Sequence, residues 1–76
     1  MILPTKHLSI DESILGGGAA LLENLSNPKT VSRLWDKVKS DPRVGNFKRF
    51  SLLLVFLYSV DAILIADNLI SKKVRR

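Results

Sequence analysis

Three segments carry apolar residues at helical spacing, and two short apolar runs then flank an Asp67-Asn68 pair. These observations predict an α+β, mostly helical fold. Three helices followed by a C-terminal β-hairpin is the order of a winged helix-turn-helix, with a short N-terminal strand placed to join the hairpin. Length supplies the bound: 76 residues allow one domain, so 1–76 read as a single winged-helix-like unit.

Each element has its own signals. Ile2-Leu3 precedes Pro4, which pushes the preceding residue toward extended geometry, so no helix starts there. A first helix is expected from Asp11 or Ser13 to about Leu25, with Ile14, Gly18, Leu21, Leu22 and Leu25 on one face and Gly16, Ala19 and Glu23 opposite. Gly16-Gly17-Gly18 is its weak point, since glycine in a helix costs roughly 1 kcal/mol relative to alanine. Either the helix begins after the glycines, or something packs there too closely for a side chain.

Ser26-Asn27-Pro28 ends that helix, and Thr30 is a good N-cap for a second. Val31, Leu34, Trp35 and Val38 then recur at i, i+3, i+4 and i+7, with Arg33, Asp36 and Lys37 on the far side, until Ser40-Asp41-Pro42. Gly45-Asn46 gives the next break and cap, and a third helix is expected from Phe47 to Val60. Ala62–Ala66 and Leu69–Lys73 read as hairpin strands around a two-residue turn, with Asp61 capping the turn that leads into them.

Composition excludes several function classes. With no Cys there is no disulfide framework, thiolate zinc site or thiol nucleophile, and one histidine, His7, offers no partner for a metal or a proton relay. A stability margin of about 4–11 kcal/mol leaves few residues for anything but folding. Gly16-Gly17-Gly18 lacks the strand, Lys and Ser/Thr of a phosphate-binding loop. No Ser has a plausible base nearby. Catalysis, cofactors and metals are therefore not expected. The apolar run from Leu52 is too short for a membrane span and holds Asp61, and no signal peptide is visible, so a cytoplasmic protein is expected.

The third helix is the most informative segment. Ten of its fourteen residues are apolar, with Phe47, Phe50, Leu53, Leu54, Leu57 and Tyr58 facing inward. Lys48, Ser51, Leu52, Val55, Phe56 and Ser59 face outward. A helix that reads bases needs polar or basic side chains on that face, so this one is a poor sequence reader. Two readings of Leu52, Val55 and Phe56 are open: scattered exposure, common for single residues, or a contiguous patch that docks on a protein. The net charge of +5 suits nucleic acid or an acidic partner. Lys48 and Arg49 lie at the helix start, where the dipole disfavours cations, which hints at an acidic partner. Lys72, Lys73, Arg75 and Arg76 cluster at the end of the sequence, either as phosphate contacts or as a solvated tail.

Met1 to His7, Ser13-Ile14-Leu15-Gly16, Thr30 to Trp35, and the Leu/Phe/Tyr run from Phe47 to Ala62-Ile63 follow one another in a familiar order. In that order and spacing the chain resembles the middle components of bacterial ABC-three-component systems, class six. Leu-Pro-Thr-Lys-His and Thr-Val-Ser-x-Leu-Trp are the most specific parts. The resemblance implies a small non-enzymatic, winged-helix-like subunit in anti-phage or other conflict defence, with an organisation like that of Lamassu complexes. Its implied partners are an ABC ATPase of SMC or Rad50 type and an effector, frequently a nuclease. The triple glycine near the start of the first helix departs from the expected pattern.

Residues and resemblance together suggest a bridging subunit that touches partners through Leu52, Val55 and Phe56 and through Leu3, Pro4, Thr5, Lys6 and His7. An extended segment such as the latter can add to a sheet edge or lie in a groove. The competing reading is a winged-helix DNA-binding regulator using Lys48, Arg49, Lys72 and Lys73, and a mixed reading gives the subunit nonspecific phosphate contacts through the same residues.

Overall fold

The structure is a computed structural model and describes residues 12–73. Helices α1 (Glu12–Glu23), α2 (Val31–Val38) and α3 (Phe47–Ser59) are followed by strands β1 (Ile63–Ala66) and β2 (Leu69–Lys72). The expected order of three helices and a hairpin is thus observed. The expected N-terminal strand lies outside the described residues.

Local chemistry places each boundary. Thr30 caps α2, its hydroxyl accepting from the Arg33 amide at 3.2 Å, and the Asn46 side-chain oxygen caps α3 by accepting from the Arg49 amide at 2.8 Å. Gly45 precedes that cap at φ +84°, a conformation that strains any residue with a Cβ. Helix α3 ends in two crossed hydrogen bonds: the Ala62 amide donates to the Leu57 carbonyl and the Asp61 amide to the Tyr58 carbonyl. This is a Schellman ending with Asp61, at φ 66°, where glycine is usual. Asp67 and Asn68 both have positive φ (54° and 64°), as a two-residue hairpin turn of the favoured primed type requires.

The hairpin pairs Ile63 with Lys72, Leu64 with Ser71, Ile65 with Ile70 and Ala66 with Leu69. Lys29 makes an isolated antiparallel bridge to Ile70 on the other side of β2, with both backbone hydrogen bonds formed at 2.9 and 2.7 Å. One residue before the α2 cap therefore supplies a third rung to the wing. Sequence pattern gives no sign of it, because a single paired residue has no periodicity.

The core joins all five elements. Leu21, Leu34, Val38, Val44, Phe50, Leu53, Ile63 and Ile70 are almost fully buried, with Ala20, Leu25 and Leu57 beside them. Burying each large side chain is worth about 1.5–3 kcal/mol. Trp35 lies edge-on to Phe47 at 5.2 Å and tilted against Phe50 at 5.2 Å, which locks α2 to the first turn of α3.

The glycines lie inside α1, and close packing is the reason for Gly17 and Gly18. A Cβ on Gly17 would lie 2.7 Å from a Leu53 methyl and 2.9 Å from the Arg43 carbonyl oxygen, and one on Gly18 would lie 3.3 Å from a Leu57 methyl. Gly16 meets nothing nearer than the Arg43 Cδ at 4.0 Å. The helix crosses α3 backbone-close, so the glycines do not delay its start.

Candidate functional site

Helix α3 carries the candidate surface. Its buried side is Phe50, Leu53 and Leu57, three and four residues apart, and its opposite side is open to solvent. Leu52, Val55 and Tyr58 are 61%, 62% and 59% exposed, a stripe stepping three residues at a time along a 13-residue helix. Lys48 and Ser59, both exposed, stand at its two ends.

The expected outward trio is divided by the structure. Leu52 and Val55 are outward, as read from the helical wheel. Phe56 is half-buried and packs on the core, its ring edge reaching toward Gly18. The small residues of α1 admit that ring, which a wheel drawn for α3 alone does not register. Tyr58, assigned to the inward face, is exposed instead, and Phe47 is half-exposed while still meeting Trp35 edge-on. Leu3, Pro4, Thr5, Lys6 and His7 lie outside the described residues.

The basic residues are not gathered into one site. Lys48 and Arg49 are in the first turn of α3, whereas Lys72 and Lys73 are near its far end, about 20 Å away at 1.5 Å per residue. Arg49 reaches back to α1, its guanidinium donating to the Ser13 carbonyl. Lys73 pairs with the Asp61 carboxylate at 2.7 Å. Lys72 is exposed at the end of β2. Arg75 and Arg76 lie outside the described residues.

One charge cluster escaped the sequence reading. The Arg43 guanidinium donates to the Glu23 carboxylate at 2.9 and 3.3 Å and to that of Asp41 at 2.9 and 3.1 Å. The Arg43 amide also donates to Asp41 at 2.8 Å. These hydrogen bonds hold both carboxyl groups below their ordinary pKa values and raise that of the guanidinium. Glu23 and Arg43 are twenty residues apart, beyond the reach of any local pattern. The cluster fastens the end of α1 to the α2–α3 connection.

Among the described residues no polar or charged side chain is buried, and no three His, Cys, Asp or Glu side chains gather. No helix among them is long and apolar enough to cross a membrane. The surface features include an apolar stripe on α3, exposed Leu15 on α1, exposed Leu64 and Ile65 on the wing, and shallow open clefts between α2 and the wing. Such features suit contact with macromolecules.

No curated protein and no solved structure matches the chain significantly. A family model does, over residues 3–74, and its span covers every element described above together with the Leu3–His7 segment. The chain belongs to the family described as ABC-three component (ABC-3C) system Middle Component 6.

Proposed function

We propose that this chain is a non-enzymatic subunit that joins the two larger components of its system, an SMC- or Rad50-like ABC ATPase and an effector of nuclease type, in bacterial anti-phage defence. The observation that carries the proposal is the solvent-facing stripe of Leu52, Val55 and Tyr58 on a helix whose other side is already the core. A large apolar surface on a small domain marks a protein interface. Leu3 to His7 extends the contact, and assembly takes place in the cytoplasm.

The regulator reading has less support. Sequence-specific binding needs base-reading side chains on the outward face of α3, and that face presents leucine, valine and tyrosine. Arg49, its best candidate, is engaged with α1.

Co-expression with the neighbouring reading frames, followed by affinity purification and mass measurement, tests the proposal. The wild-type chain is expected to elute with a large ATPase. Val55→Glu is expected to elute alone while keeping its melting temperature, since Val55 is 62% exposed. Full assembly of the Val55→Glu chain removes α3 as the docking helix.

A further inference from the structure

A second surface emerges when each cation is followed to its partner. Arg43 is held by Glu23 and Asp41, Lys39 by Asp36 at 3.2 Å and Lys73 by Asp61. Arg49 donates to a backbone carbonyl of α1. Lys48 and Lys72, near opposite ends of α3, have no ion pair among the described residues, and neither have Lys29, Arg33 and Lys37, of which Lys29 donates to the Asn27 carbonyl at 3.5 Å. The spacing of these last three is four residues each time, and all three line one shallow cleft between α2 and the wing, beside Asn27 and Leu69. Glu23 also borders this cleft, but its carboxylate is taken by Arg43. Asp36, in the adjoining hollow with Arg33 and Lys37, is taken by Lys39. Asp36 is thus paired with Lys39, and Glu23 shares Arg43 with Asp41, which leaves one negative charge at the border of the cleft against three cations, so the face stays net positive.

From this arrangement we infer that the Lys29–Arg33–Lys37 face binds the sugar–phosphate backbone of duplex DNA without regard to sequence. Spacing supports it: Arg33 and Lys37 are about one turn apart, roughly 6 Å along α2, and Lys29 stands just before the Thr30 cap on the same cleft. One strand of a duplex offers a phosphate every 3.4 Å or so of axis, enough for each cation to meet its own. The surroundings favour nucleic acid over an acidic protein. Ser26, Asn27 and Thr30 surround the cations, and a protein interface needs an apolar centre where a phosphate backbone needs only charge and donors. The face lies on α2 and the segment just before it, apart from the α3 stripe, so it stands whether or not α3 docks a protein.

Fluorescence anisotropy on the full chain, with two labelled duplexes of unrelated sequence, is the test. Both duplexes are expected to bind alike at low salt. Each neutralised phosphate contributes about −0.9 to the slope of log affinity against log salt, so Lys29→Gln/Arg33→Gln/Lys37→Gln is expected to flatten it by about 2.7. Affinity at low salt should fall by at least about tenfold, and Lys48→Gln/Lys72→Gln should leave it nearly unchanged. Arg33→Gln and Lys37→Gln, each exposed, guard against misfolding of the triple variant, and each alone should remove about 0.9 of slope. No binding of either duplex, an unaltered slope in these variants, or strong preference for one sequence would overturn the inference. So would displacement by polyglutamate as effective as by unlabelled duplex, which would give the face to an acidic protein.

Discussion

Gly16, Gly17 and Gly18 are adjacent in sequence and unlike in what they do. At Gly17 an added Cβ meets the Arg43 carbonyl oxygen at 2.9 Å, and backbone cannot move aside as a flexible side chain can. Gly17→Ala is therefore expected to push α1 off α3 and destabilise the fold by about 1–3 kcal/mol, the usual range for overpacking. Gly16→Ala meets open space and removes helix-disfavouring backbone freedom, so a gain of about 0.4–1 kcal/mol is expected. Urea denaturation of the two variants checks both signs at once. Equal effects would mean that the close crossing of α1 and α3 is wrong. The sequence could pose this choice, helix start or close approach, but not decide it, because Leu53 and Arg43 are more than twenty residues away.

The elements were most legible where a boundary depends on its own neighbours. Thr30 and Asn46 are capping residues followed three positions later by the amide they bind, and the Asp67-Asn68 turn needs two residues tolerant of positive φ. Features made by one element on another were not legible: the Lys29 bridge to β2, the Arg49 tie to α1, and the turning of Phe56 onto the glycine face. The hairpin turn gives an element-scale prediction. Asn68 sits at φ 64°, where a β-branched residue is strained by about 1–2 kcal/mol. Asn68→Val should lower stability by that amount and loosen the Ala66–Leu69 pair that closes the turn. Hydrogen exchange should report the loss at β1 and β2 before it reaches α1. Unchanged exchange in the hairpin would show that the turn residue is not what sets its register.

At the scale of the whole molecule, the faces divide by chemistry. The largest apolar exposures are the α3 stripe, with further ones at Leu15, Leu64 and Ile65; Arg33 and Lys37 on α2 and Lys29 just before it lack an ion pair; and the Arg43 cluster ties α1 to the α2–α3 connection. That cluster makes stability depend on pH in a definite direction. Glu23 and Asp41 are more acidic in the folded chain than in the unfolded one, so the unfolded state binds their protons first as pH falls. The stabilisation is fully present above the ordinary values of 4.5 and 3.8 and is lost as pH drops through the lower folded values. Arg43→Gln should lower the melting temperature at pH 7, and the gap to wild type should close as pH falls below about 4. The cluster is exposed, so the gap should also shrink in 1 M salt, where screening acts within about 3 Å. A gap that stays constant from pH 7 to pH 2.5 would mean that Arg43 acts by packing along its aliphatic stem, with its charge immaterial to the joint between α1 and the α2–α3 connection.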